Sequence, residues 1–170
     1  MTTAHDLFDY SPILARGSYA WPDGARLAVT FVVSIEYYEM SQPQGAAFPA
    51  SLPGGFGRGP YPDFRTFSHR EYGNRIGVFR VADLLKRHGL AATAAIDARS
   101  ALERPELIKL CVENRWELAA HGEAVTRLIS SRLDETEERR QIQYSLEAVR
   151  KASGIAPRGW HGPESGESSR

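Results

Sequence analysis

Four short apolar segments of this chain each run into polar, titratable residues. Ala25–Glu36 ends on Glu36, Leu90–Ile96 runs into Asp97, Trp116–Ala120 runs into His121 with Glu123, and Arg158–Trp160 runs into His161 with Glu164. If the segments are neighbouring parallel strands, their carboxyl ends lie on one rim, and side chains there face the crevice where ligands bind. Carboxylates and imidazoles distant in sequence would then meet. A carboxylate can take a proton from water, and an imidazole titrating near neutrality can return one to a leaving group, so the set suits hydrolysis. The same nitrogen and oxygen donors also suit a divalent metal. A single strand-end histidine is more often a hydrogen-bonded structural residue, so the inference rests on the four ends together. Gly122, Gly159 and Gly162 flank the histidines and would allow close approach of backbone or ligand. HExxH, CxxC, GxGxxG and P-loop patterns are absent.

The elements that must position these residues follow from periodicity. Ala25–Glu36 is nearly continuous in Val, Ile and other apolar residues, which predicts a strand buried on both faces. The spacing of Ile76, Phe79, Ala82 or Asp83, Leu84 and Leu85 predicts a helix over 74–88, stopped at His88-Gly89 with His88 as a solvated helix-end cation. Leu90–Ile96 reads as a second buried strand. A short helix with Pro105 in its first turn precedes the strand at Trp116. A third helix spans 134–153. It starts at a capping-box-like Asp134 and Glu137, has Ile142, Leu146 and Val149 as its buried stripe, and closes at Gly154. Its acidic first turn is a solvated face rather than a binding site. The alternation of strands and helices gives an α/β fold with a mainly parallel sheet.

Two stretches lack a period. Residues 1–24 form an irregular, aromatic-bearing arm closed by the turn Trp21-Pro22-Asp23-Gly24. Residues 37–72, rich in Pro, Gly and aromatics, read as one long loop, either a substrate lid or subunit contact, or an ordered loop packed over the fold.

Composition bounds the partners. In 170 residues, Lys+Arg and Asp+Glu are each 21, giving a formal net charge of zero, so nothing favours nucleic acid or an anionic membrane. The single cysteine, Cys111, rules out an intramolecular disulfide framework and reads as a core residue in a reducing cytosol. No signal peptide or membrane span is legible, and the expected location is cytoplasmic.

Several blocks together carry a resemblance. These are Trp21-Pro22-Asp23-Gly24-Ala25-Arg26-Leu27-Ala28-Val29, Glu36, Arg70-Glu71-Tyr72-Gly73-Asn74-Arg75-Ile76-Gly77-Val78-Phe79-Arg80, Trp116 through Gly122, and Pro157-Arg158-Gly159-Trp160. The pattern resembles the polysaccharide deacetylase superfamily, most closely its allantoinase-like branch. The resemblance implies a distorted (β/α) barrel and hydrolysis of a carbon–nitrogen bond that is not a peptide bond. Metal-dependent deacetylases of this kind use an aspartate and two histidines of an H-x-x-x-H motif. Here Glu36 stands at the aspartate position, His121 matches the first histidine, and Val125 stands at the second. The allantoinase-like branch also departs from that triad and is expected to act without metal. The third motif, His161-Gly162-Pro163-Glu164, differs from that branch, which carries a tyrosine and an arginine there.

The expected catalytic residues are Glu36 as general base or metal ligand, His121 as general acid, orienter or ligand, and His161 and Glu164 completing the site. Asp97, Glu123 and Trp160 are expected to contact a small amide or N-acetyl substrate. Glu36, His121 and His161 would hold a divalent metal such as zinc if one binds. The rival expectation is a catalytically lapsed barrel serving as a small-ligand binding or assembly module. A full barrel needs roughly 250 residues, so the chain is expected to be the N-terminal portion of a single catalytic domain, with an exposed strand edge that favours a homo-oligomer.

Overall fold

The structure, a computed structural model, describes residues 9–41 and 62–168. Four parallel strands lie in sequence order: β1 (Val32–Ile35), β2 (Thr93–Ile96), β3 (Glu117–Ala120) and β4 (Gly159–Trp160). Their register aligns Ile35 with Ile96, Ile96 with Ala120, and Ala120 with Trp160. The next residue on each strand is therefore Glu36, Asp97, His121 and His161. One row across the sheet starts all four rim positions together.

β2 and β3 read as near-continuous small apolar residues because both are interior strands. Ala94, Ala95, Ile96 and Ala120 are fully buried. Burying a side chain the size of Ile96 contributes roughly 1.5–3 kcal/mol. β1 is shorter than its apolar run predicts. Among the described residues it pairs only with β2 and lies at an edge of the sheet, and Leu27, Val29 and Val32 remain well exposed. Continuous hydrophobicity predicts a strand with two covered faces, but an edge position leaves these residues uncovered in the described chain.

The helices set the rest. α1 (Phe64–Tyr72) falls inside the stretch read as loop, so that loop ends at Asp63, whose side chain accepts from Thr66 N at 3.0 Å as the N-cap. Glu71 is the only buried residue of α1, so no apolar stripe announces it. Residues 42–61, where the lid or subunit contact was expected, lie outside the described residues. One wide π turn, Gly73–Gly77, joins α1 to α2 (Val78–Arg87). The buried face of α2 is Val78, Ala82 and Leu85, one position out of phase with Phe79 and Leu84. α3 (Ala98–Glu103) starts directly at Asp97, and α4 (Pro105–Glu113) buries Leu107, Ile108 and Cys111. α5 (Glu135–Ser153) is capped by Asp134 and ended by Gly154 at φ 73°, as its sequence predicts. Its most buried face is Gln141, Ser145, Ala148 and Val149, with Ile142 and Leu146 half-covered. The arm, seen over 9–24, holds two short 3₁₀ turns and leaves Tyr10, Leu14 and Tyr19 exposed.

Candidate functional site

The rim row becomes a site because the backbone just past β1 is pinned from three sides. Tyr37 N–H donates to Asp97 Oδ2 at 2.5 Å, Asn74 Nδ2 donates to the Glu36 carbonyl at 2.7 Å, and Val125 N–H donates to the Tyr37 carbonyl at 3.2 Å. Asn74 reaches across because it sits in the π turn, the kind of helix irregularity that often accompanies functional sites. One turn earlier on the same helical run, Arg70 points the same way.

Glu36 is held between two cationic partners. Its Oε2 takes Arg70 Nη1, and its Oε1 faces His121 Nε2 at 3.0 Å. Arg70 Nη2 continues to Glu164 Oε1 at 2.6 Å, so one guanidinium bridges both carboxylates. It also lies 5.5 Å from the centre of the Tyr38 ring. His121 Nδ1 meets the His161 carbonyl at 2.5 Å, and the two imidazoles approach Nδ1 to Nδ1 at 3.3 Å. A carbonyl can only accept, so His121 Nδ1 carries the proton.

Burial ranks these groups. His121 is 1% exposed, while Glu36, Glu164 and Arg70 keep about a fifth to a quarter of their side chains open, and His161 is exposed. Burial works against a charged Glu36, but the His121 bond and the Arg70 charge outweigh it and hold the carboxyl below its ordinary range. Burial likewise opposes an imidazolium at His121. The Glu36 bond, the His161 carbonyl and the Glu36 and Asp97 charges outweigh it and raise the imidazole's pKa. The pair therefore favours a carboxylate facing an imidazolium.

The loop after β4 is clamped over His121 by glycine. Gly122 has φ +77°, and a Cβ there would lie 2.5 Å from Pro163 Cγ. Glu164 and Ser165 follow at φ 51° and 55°. That conformation costs a non-glycine residue on the order of 1 kcal/mol or more and concentrates at functional sites.

Three expected substrate contacts fare differently. Asp97 is fully buried and spends one oxygen on Tyr37 N–H and the other on Ser100 N–H at 2.7 Å. It is the N-cap of α3 and a brace for β1, not a substrate ligand. Glu123 pairs with Arg127 at 3.3 Å and Arg140 at 3.1 Å, in a separate charged network with Glu39 and Arg99, so it too is turned away from the cluster. Trp160, which precedes His161 at the end of β4, is 40% exposed.

The metal set Glu36, His121 and His161 does not fit a cation. Among the described residues no three His, Cys, Asp or Glu side chains are arranged as ligands. The Arg70 guanidinium lies against Glu36, and both nitrogens of His121 face protein partners. Val125, at the position of the second histidine, is 3% exposed and apolar.

Arg70, Asn74 and Tyr38 were not among the expected site residues. The only trace of the first two in the sequence is their i, i+4 spacing within the block that carries the resemblance.

The ordered parallel strands and the polar row at their carboxyl ends define an α/β protein of the (β/α) barrel kind. Residues 71–170 match the family described as polysaccharide deacetylase, and the chain belongs to that family. A Schizosaccharomyces pombe protein named "Putative polysaccharide deacetylase" is 28% identical over 151 residues, which is 83% of this chain and 46% of that protein. Among solved structures, a Mycobacterium smegmatis protein titled "putative polysaccharide deacetylase" is 27% identical at a TM-score of 0.65, over 86% of this chain and 46% of the other. Puue allantoinase is 23% identical at a TM-score of 0.66, over 90% of this chain and 53% of the other, a likeness of fold. The chain thus spans about half the length of the relatives it matches.

Proposed function

We propose that the full-length protein hydrolyses a carbon–nitrogen bond other than a peptide bond, in a small amide or N-acetyl substrate, of the deacetylase or allantoinase kind. The observation that carries this reading is the Glu36 carboxylate, partly open to solvent and gripped by His121 and Arg70. Glu36 takes a proton from water as the water oxygen bonds to the carbonyl carbon. The carbonyl electrons move onto oxygen. On collapse the carbon–nitrogen bond breaks, the nitrogen receives a proton from the imidazolium form of His161, the exposed imidazole of the pair, and Glu36 then releases its proton to solvent as His161 regains one. His121 is too deeply buried to meet substrate, so of its three expected roles the geometry favours orienting Glu36. Glu164 helps set Arg70, and Trp160 offers an apolar face to the substrate. No step passes through a metal. Family membership supports the reaction class. The buried Cys111 suits a cytoplasmic setting.

The test compares wild type, Glu36→Gln and His121→Ala in the full-length protein on linear N-acetyl compounds and cyclic amides. Loss of turnover in both variants with unchanged melting supports the reading, and a fully active Glu36→Gln refutes it. The rival reading, a lapsed barrel that binds a small ligand, is favoured by Val125 in place of a histidine. It predicts no turnover by wild type and a raised melting temperature with a panel compound.

A further inference from the structure

We infer that Arg70 is a catalytic group of this site, whose guanidinium holds the negative charge that forms on the substrate's carbonyl oxygen. The inference rests on the hydrolytic reading above and adds to it the group that polarises the carbonyl. Hydrolysis by a carboxylate and imidazoles needs a fixed positive charge near the developing oxyanion, and such preorganised donors are commonly the largest single contribution to the rate. The described residues do not assemble a metal set. Arg70 supplies a permanent charge in the same cluster, one bond from Glu36, the proposed base.

The geometry leaves it donors to spare. Arginine has five N–H groups, and the bonds to Glu36 and Glu164 use one on each terminal nitrogen. The remaining N–H groups can take a carbonyl oxygen without breaking either ion pair. Arg70 is 27% exposed, so a substrate can reach it. Its fork is held by Glu36 just past β1, Glu164 from the loop after β4 and the Tyr38 ring, three points that allow little reorientation. With His121 protonated, Glu36, Glu164, Arg70 and His121 sum to no net charge, to which His161 adds one positive charge while it holds the proton it donates. The substrate class that fits is an uncharged amide or imide, since a carboxylate-bearing one would meet Glu36 and Glu164.

The rival explanation is that Arg70 only clamps the two carboxylates. Arg70→Ala and Arg70→Lys in the full-length protein separate the two, with kcat, KM and melting temperature measured for each. The catalytic role predicts a kcat loss of about a hundredfold to a thousandfold in Arg70→Ala, with KM and melting nearly unchanged. Added ethylguanidinium restores kcat at least about tenfold, and ethylammonium much less, because only the planar fork has the geometry. Arg70→Lys falls between, having the charge without the fork. A lowered melting temperature, a raised KM and no rescue by ethylguanidinium would overturn the inference in favour of the clamp, as would near-normal turnover in Arg70→Ala. Glu36→Gln in the same assay keeps the two readings apart. If Glu36→Gln is dead and Arg70→Ala is unimpaired or not rescued, only the Arg70 role falls. If Glu36→Gln retains turnover, or wild type has none, the hydrolytic reading falls and takes this one with it.

Discussion

Two charged clusters share the carboxyl rim of the sheet, and they are made from much the same residue types. Around Glu39, three strong donors converge: Arg99 at 3.0 Å, Arg127 at 3.1 Å and Thr126 at 2.5 Å. Arg127 and Arg140 then pass to Glu123, Arg99 passes to Glu103, and the Tyr37 ring lies under Arg99. This network ties the chain after β1 to α3, α5 and the segment after β3, with arginines facing carboxylates throughout. Around Glu36, by contrast, imidazoles replace all but one of the guanidiniums, and the loop that closes the cluster carries two non-glycine residues at positive φ. Fixed charges shared between permanently ionised arginines and carboxylates make a scaffold. A cluster with imidazoles, spare donors and local strain can move protons. Charge density alone does not separate a site from a strut; the chemistry of the partners does.

The sharpest way to break this contrast is the same substitution in both clusters. Glu36→Gln should lower kcat by about a hundredfold to ten-thousandfold, the usual worth of a general base. Glu39→Gln should leave kcat within about threefold and instead lower stability by about 1–3 kcal/mol, through weakened bonds to charged donors. Steady-state kinetics and urea denaturation of the two full-length variants decide it. Equal kinetic losses would erase the distinction between the clusters.

The loop that covers the site offers a second contrast, between two glycines at positive φ. Gly122→Ala adds a methyl within 2.5 Å of Pro163 as well as backbone strain, whereas at Gly154, the end of α5, nothing lies within 4 Å. Gly122→Ala should cost about 3 kcal/mol and reduce turnover as the Pro163 loop shifts. Gly154→Ala should cost about 1 kcal/mol with kinetics unchanged. Melting curves alongside kcat would test both halves.

The sequence shows the rim row well and the bridge across it poorly. Interior strands of a parallel sheet must be apolar along their length, so β2, β3 and the polar residues that end them stand out, and Glu36, His121, His161 and Glu164 are brought together as expected. β1 was overextended, because apolar residues at an edge look like buried ones. α1 was missed because it buries a glutamate rather than an apolar stripe, and α3 because it is a six-residue helix. Asp97 and Glu123 were placed on the correct rim but misread. Whether a strand-end carboxylate faces a cavity or caps the next helix depends on its partners, such as Ser100 N–H. Arg70 reaches partners 34 residues before and 94 residues after it, and no local spacing encodes that.

Asp97 and Glu36 make a third contrast, two adjacent rim carboxyls pushed in opposite directions. Burial drives Asp97 up to about 7, against the bonds from Tyr37 and Ser100, while Glu36 is held below its ordinary value. Between its ordinary value and about pH 7, Asp97 binds more protons folded than unfolded, so its contribution to stability falls as pH rises through that window. The Glu36 contribution has the opposite sense, present above the unfolded value and lost as pH falls through the folded one. Asp97→Asn should therefore remove a decline of about 1.4 kcal/mol per pH unit within that window, seen as a difference between the urea-unfolding free energies of wild type and variant. An identical pH dependence in the two proteins would mean that Asp97 does not titrate there.

The smallest expected effect belongs to the outer margin of the scaffold network. Arg140 pairs with Glu123 and Glu137 but is half exposed. Surface ion pairs contribute about 0–1 kcal/mol because solvent screens them and ordering two long side chains has an entropic cost. Glu123 keeps Arg127 when Arg140 is gone. Arg140→Ala should thus shift the urea midpoint only slightly, and the shift should vanish in high salt. A loss of turnover in this variant, with Glu39→Gln still active, would mean that charge on α5 reaches Glu36 through the field rather than through bonds, and the line between scaffold and site would have to be redrawn.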